Sequence, residues 1–240
     1  MKWSNNYTVR YHDVDANELT SPSYIFKFLQ ETATNQMRGQ GPSYAELLKQ
    51  NKAFLLSAIR VEMYEPLVPH DEITVYTWGC DARGFTFPRS YAIMRGDELI
   101  CEANSNWALV DTRDKRLIRA SEIELNYSID KPLELQNPVR FRIPPELPLS
   151  LVGEYTIRYS DTDVNGHMNN TNYPDMLLNA MPNPENKLIK SIAISYQNEA
   201  RTGDYLKIYL GKTDGKYYMR SVHEDGRINV EAEIIAQSLN

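Results

Sequence analysis

Two periods alternate along this chain. From Ser21 to Met37, the residues Ile25, Phe26, Phe28, Leu29, Thr32, Ala33 and Met37 recur at the 3.6-residue spacing of a helix that buries one face. Ser21 and Pro22 suit the cap and first turn, so a core-facing helix is predicted to begin there. A shorter helix is predicted at "YPDMLLNAM" from Tyr173: Asn169, Asn170, Thr171 and Asn172 offer caps, Pro174 fits the first turn, and Pro182 and Pro184 halt it. Elsewhere the period falls to two. "DEITVYTW", "PRSYAIMRG" and "LICEANSNWALVD" read as strands, as do "DYLKIYLG", "KYYMRSV" and "INVEAEIIAQ". In the last of these Ile228, Val230, Ala232, Ile234 and Ala236 share one face. Between the two groups of strands, "DKPLELQNPVRFRIPPELPLS" holds five prolines and follows neither period, the signature of a linker packed across a surface.

The order of elements occurs twice because the chain repeats itself. "YTVRYHDVDAN" at 7–17 and "YTIRYSDTDVN" at 155–165 agree at seven of eleven positions with an offset of 148, and "IRVEMYEPLVPHDEI" from Ile59 pairs with "IAISYQNEARTGDYL" from Ile192 at an offset of 133. Each copy is a strand, a helix and then several antiparallel strands, which is an α+β plan. The predicted units are 1–128 and 150–240, joined by a Pro-rich linker at 129–149.

Within the repeat, the copies differ in their chemistry. Asp161, Asp163, Asn165 and His167 in "YSDTDVNGHMNNTNY" fall at every second position, so an extended segment would put all four on one face. Asp13, Asp15 and Asn17 match the first three, and their presence in both copies suits side chains that satisfy backbone donors before a helix. His167, however, corresponds to Leu19, and Glu199 corresponds to Pro66. Only the second copy therefore holds a titratable pair. A histidine and a carboxylate beside the unpaired amides of a helix start are parts for hydrolysis at an acyl carbonyl.

Composition narrows the context. With 42% hydrophobic and 24% charged residues the 240-residue chain is ordinary globular protein, and its formal charge of −6 argues against nonspecific nucleic-acid binding. No apolar run has the length of a membrane span, and the start lacks a secretory or transit pattern, so a cytoplasmic protein is expected. Cys80 and Cys101 have neither metal-type nor disulfide spacing and read as reduced packing residues. His12, His70 and His223 read as structural or exposed, and the sixteen tyrosines as strand formers without a role.

"DVNGHMNNTNY" followed by "YQNEA", with "YTVRYHDVDANELTSPSYIFKFLQETATNQ" in the first copy, resembles the acyl-ACP thioesterases, the plastid and bacterial enzymes that release fatty acids from acyl carrier protein. The resemblance covers nearly the whole chain. It implies a tandem double hotdog, two antiparallel sheets each wrapped around a long helix and joined side by side. It also implies an acyl chain held mainly by the N-terminal unit and catalytic residues in the C-terminal one, at Asp163, Asn165, His167 and Glu199. Many plant members carry a cysteine after that glutamate. Here the position is Ala200, which rules out a thiol nucleophile at that place.

The implied reaction is attack of water on the thioester carbonyl, with no metal or cofactor. Glu199 would activate the water with help from His167 and Asp163, or His167 would be the base and Glu199 its orienter; Asn165 and the helix-start amides would hold the oxyanion. The implied partner is acyl carrier protein bearing an acyl-phosphopantetheine, which the basic "RDKRLIR" at 113–119 would meet unless that segment is simply a solvated turn. Competing readings are an acyl-CoA hydrolase, a non-catalytic acyl-binding protein, and a hydratase, which the "HMNN" continuation and the place of Glu199 disfavour. A monomer and a homodimer are both compatible with the sequence.

Overall fold

The computed structural model of the chain describes residues 2–239. The first unit contains β1 (Trp3–Thr8), α1 (Pro22–Gln40), α2 (Tyr44–Lys49), β2 (Lys52–Met63), β3 (Glu72–Gly79), β4 (Phe87–Arg95), β5 (Glu98–Asp111) and β6 (Leu117–Ile118). The second contains β7 (Ser150–Thr156), α3 (Tyr173–Asn179), β8 (Lys187–Tyr196), β9 (Tyr205–Thr213), β10 (Lys216–His223) and β11 (Ile228–Ser238). Ser21 stands at the N-cap position of α1 with Pro22 in the first turn, as the sequence predicts, but its hydroxyl meets Ser23 Oγ (3.1 Å) and not a backbone amide. α3 has seven residues against nineteen in α1, so only the first unit has a long helix.

One sheet runs through both units in the order β1-β3-β4-β5-β2-β8-β11-β10-β9-β7, with β6 added beside β5. Read inward from either edge, the strands follow the same sequence of roles, which is the tandem double hotdog arrangement. The buried residues of α1, such as Ile25, Phe28 and Leu29, pack on Val61, Val75, Tyr91 and Ile93; Met176 and Leu177 of α3 pack on Ile192, Met219 and Ile234. These form one continuous core across the unit boundary. Each fully buried large side chain contributes about 1.5–3 kcal/mol. Cys80 and Cys101 are buried and unpaired, and burial pushes both thiols up. Among the described residues no helix is long and apolar enough to cross a membrane.

The units meet at β2 and β8, where Ile59 faces Ile194, Arg60 faces Ala193 and Val61 faces Ile192. Under the 133-residue offset Arg60 and Ala193 are counterparts, so the local two-fold axis relating the units passes between them. Arg60 is fully buried on the sheet face away from the helices. It donates to Glu233 Oε1 (2.7 Å), Ser191 Oγ (3.0 Å) and the Pro138 carbonyl (2.6 Å).

The Pro-rich segment crosses that same face as a strap. The Lys131 carbonyl accepts from Trp78 Nε1 of β3 (2.9 Å), the Leu133 carbonyl from Asn104 of β5 (2.8 Å), and Glu62 of β2 accepts from the Gln136 and Asn137 amides (3.0 and 2.9 Å). At the far side the Pro148 carbonyl lies so close to Gly211 of β9 that a Cβ there would sit 2.7 Å from it. Glu62→Gln is expected to lower stability by about 1–3 kcal/mol, because a buried acceptor of two amides is half lost. Chemical denaturation, with limited proteolysis of residues 130–148, would measure this; an unchanged midpoint would show that the strap is held elsewhere.

Candidate active site

The alternating polar row is not the face of a strand. Tyr159–Asp161 is a single 3-10 turn, and Asp161 folds back to accept from the Arg158 amide (2.8 Å) and the Tyr155 hydroxyl (3.0 Å). Asp13 closes the matching turn on the Arg10 amide at 2.8 Å. Asp163 then organises the next turn, accepting from the amides of Asn165 (2.8 Å) and His167 (3.4 Å) while its own amide bonds the His167 carbonyl (2.8 Å). Asp15 makes the same three contacts to Asn17 and Leu19. Gly166 takes a left-handed conformation (φ 73°), and its counterpart Glu18 does too (φ 59°). The loop shape thus belongs to the fold, and the units differ in which side chains it displays.

In the second unit the loop is stitched to the segment after β8. His167 pairs with Arg201 in a short antiparallel bridge, and the Met168 amide donates to the Ala200 carbonyl (2.7 Å). This puts His167 Nε2 3.2 Å from Glu199 Oε2, with 23% and 46% of the two side chains exposed, so solvent reaches the pair. The site brings a histidine and a carboxylate, 32 residues apart in sequence, within ion-pair distance of each other. Among the described residues Asp163 makes no hydrogen bond or ion pair with the His167 ring or Glu199. Its side chain instead accepts from Asn165 Nδ2 (3.2 Å).

Tyr44 joins the site without any local sequence signal. Its hydroxyl, carried by α2 of the first unit, donates to Asn165 Oδ1. Asn165 is therefore bracketed, with Oδ1 toward Tyr44 and Nδ2 toward Asp163. Before α3, Asn169 caps the Thr171 amide (3.0 Å) and its carbonyl takes the Asn172 amide (2.9 Å). The Asn170 N–H has no partner among the described residues.

A cavity of about 430 Å³ opens against this loop, within the range of small-ligand sites. Met37 of α1 and Phe54, Phe87 and Trp107 of the sheet wall it, and Asp163 and Asn165 close it from the second unit. His167 and Glu199 stand outside the lining, two and thirty-four residues beyond Asn165 in sequence. Arg89 also lines it, its guanidinium held by Gln36 and Thr77 under the Tyr127 ring. A larger open groove of about 1410 Å³ runs along β1 past Arg10, His12, Lys27 and His70, and contains none of the four predicted site residues. Its charged walls suit an acyl chain poorly.

The profile of the acyl-ACP thioesterase N-terminal domain matches residues 1–126, and that of the C-terminal domain matches 148–238. The chain belongs to the acyl-ACP thioesterase family. Among its relatives are the chloroplastic palmitoyl-acyl carrier protein thioesterase of Gossypium hirsutum, 22% identical over 213 residues (82% of this chain, 52% of the relative), and the chloroplastic oleoyl-acyl carrier protein thioesterase 2 of Arabidopsis thaliana, 26% identical over 232 residues (84% and 60%). The chain spans about half the length of the first of these curated relatives. Two solved structures share its fold: an acyl-ACP thioesterase from Bacteroides thetaiotaomicron (TM-score 0.88, 21% identity, 98% of both chains) and the 12:0-ACP thioesterase from Umbellularia californica (TM-score 0.86, 18% identity, 99% of this chain and 97% of that one).

In this family member two of the four cations in the basic segment at 113–119 have counter-ions. Arg113 pairs with Asp111 (2.8 Å), Arg116 with Glu122 (3.0 Å), and Arg119 lies over the Phe85 ring (4.5 Å). Lys115 and Arg119 have no carboxylate partner among the described residues.

Proposed function

We propose that this acyl-ACP thioesterase family member hydrolyses the thioester of a fatty acyl group carried on acyl carrier protein, using Glu199, His167, Asn165 and Asp163. One observation carries the reading: the His167–Glu199 pair at 3.2 Å is fixed to the same loop whose Asn165 closes an acyl-sized cavity. Water between the pair and the carbonyl carbon loses a proton to Glu199, whose carboxylate is held by His167. The new C–O bond forms as the C–S bond breaks, and the proton passes through the pair to the departing thiolate. Exchanging the two roles sends the proton along the same path. Asn165 Nδ2 and the free Asn170 N–H are the donors nearest at hand for the developing oxyanion, while Asp163 keeps the loop in shape.

The acyl chain enters this cavity along its Ala33, Met37, Phe54, Phe87 and Trp107 wall, opposite the polar Glu31 and Arg89 of the same lining, and burial of each methylene on the apolar wall contributes about 0.8 kcal/mol. The test is release of thiol and free fatty acid from acyl-ACP and acyl-CoA of graded chain length. Turnover that favours acyl-ACP supports the proposal, turnover that favours acyl-CoA reassigns the carrier, and no turnover of either overturns it. Tyr44→Phe is expected to lower kcat about 2–10-fold, the effect of one lost hydrogen bond to the Asn165 amide. An unchanged kcat would remove α2 from the site.

A further inference from the structure

Internal symmetry lets each residue behind the pair be compared with its counterpart in the unit that lacks the pair. The amides of Gln197 and Asn198 both donate to the Asn229 carbonyl (2.9 and 3.2 Å), as those of Tyr64 and Glu65 donate to the Ile100 carbonyl (2.9 and 3.4 Å). Asn229 thus corresponds to Ile100. Ser221 faces Val230 just before the bulge between β10 and β11, and Ile93 faces Cys101 just before the bulge between β4 and β5, so Ser221 corresponds to Ile93. By the sequence offsets, Tyr173 corresponds to Ile25 and Tyr196 to Met63. Four apolar core positions of the first unit are therefore polar in the second.

Three of these polar groups hydrogen-bond one another, the fourth packs against them, and together they grip two backbone carbonyls. Asn229 Nδ2 donates to the Tyr173 hydroxyl (3.0 Å) and to the Asn198 carbonyl (2.6 Å), and Asn229 Oδ1 accepts from Ser221 Oγ (2.9 Å). The Tyr196 hydroxyl donates to the Asn170 carbonyl (3.0 Å), and its ring stands edge-on to that of Tyr173, 5.3 Å between centroids. Asn198 immediately precedes Glu199, and Asn170 lies three residues after His167. One arm thus holds the segment after β8 that carries Glu199, and the other holds the loop that carries His167. Burial pushes the Tyr173 hydroxyl up to about 12, with the charges of Glu199 and Asp204 adding to it, so it stays protonated.

The first unit shows that this place folds with isoleucine and methionine. Buried polar networks are costly unless every member is satisfied, and apolar replacements are often neutral for stability. Nor is the difference a general loss of polarity from the first unit. The nearby carboxylates Asp71 and Asp204 are both kept and face a cation-forming partner in each copy, Arg95 at 2.7 Å and His223 at 3.9 Å. What separates the copies is the cluster that touches the backbone on both sides of the pair.

We propose that Tyr173, Tyr196, Ser221 and Asn229 are a buried positioning cluster that fixes the separation of His167 and Glu199. The inference rests on the function proposed above for its kinetic readout only. In Asn229→Val, kcat is expected to fall about 10–100-fold with KM little changed, as for a reacting group displaced by about 1 Å. Tyr196→Phe and Ser221→Ala, which each remove a single oxygen, are expected to lower kcat several-fold. The Tyr196→Phe/Ser221→Ala double variant is expected to depart from additivity, because both act on one distance. If Asn229→Val does not fold, the two single-oxygen variants carry the same test. Folded variants with wild-type kcat would overturn the proposal. Should the wild type hydrolyse no thioester, the function reading falls by itself. The cluster is then read in crystal structures: a His167–Glu199 separation that widens in Tyr196→Phe or Ser221→Ala supports it, and an unchanged 3.2 Å overturns it.

Discussion

His167→Leu and Glu199→Ala are each expected to lower kcat/KM on acyl-ACP by about 10²–10⁴-fold, the usual worth of a positioned acid–base group. The fold should survive both changes. Leu19 already occupies the His167 position in the first unit, on a loop with the same Asp-centred hydrogen bonds, and Pro66 occupies the Glu199 position. The backbone geometry therefore does not depend on the pair, and a loss of activity is readable as lost chemistry. Because the two groups act as one unit, the double variant should be scarcely worse than either single. Thiol release alongside thermal melts decides the matter: activity within ten-fold of wild type in both single variants would place the reaction elsewhere.

The largest effect on stability is expected at the junction of the units. Removing one partner of a buried ion pair strands the other, at a cost of about 3–5 kcal/mol, and both Arg60→Met and Glu233→Gln do so. For a chain of this size that corresponds to a fall in Tm of roughly 6–20 °C. Arg60→Met/Glu233→Met removes both charges and should lie closer to wild type than either single variant.

pH dependence gives an independent check. Burial pushes the Glu233 carboxyl up, but the Arg60 hydrogen bond and charge, aided by Lys216, outweigh it and leave the group below its ordinary value. The stabilisation is therefore complete above the unfolded value of about 4.3 and fades as pH falls through the lower folded value. The gap between wild type and Glu233→Gln should narrow over that acidic window. Singles that cost less than about 1 kcal/mol at neutral pH would refute the role given to the pair.

What could be read from the sequence was what is local or repeated. The start of α1 at Ser21 and Pro22, the strand runs and the duplication each rest on neighbouring residues, and the strap was recognisable from its prolines. Asp161 and Asp163 turn back to backbone amides, in keeping with their reading as side chains that satisfy backbone donors before a helix, so a period of two does not govern where they point. One local element escapes the sequence pattern. α2 went unpredicted although Ser43 and Glu46 form a capping box, because it is short and buries only Leu47. The remaining features are non-local. Nothing near Tyr44 in the sequence tells that its hydroxyl meets Asn165, 121 residues away. The counterpart of Asn229 emerges only from strand register, because bulges and unequal loops shift the offset between the copies.

The place of Arg60 on the two-fold axis also bears on how such a chain can change over time. Two identical first units pairing through β2 would bring two Arg60 guanidiniums face to face, with Asn104 where Glu233 now stands. Each guanidinium would lose its Glu233 partner, while the neighbouring Glu62 carboxylate is already engaged by the Gln136 and Asn137 amides, so the symmetric pair would be less well matched. Once one half carries the arginine and the other carries alanine and the glutamate, neither half is interchangeable with its sibling. The seam is thus a lock that takes two unlike halves, and the chemistry displayed by one half need not be repeated in the other.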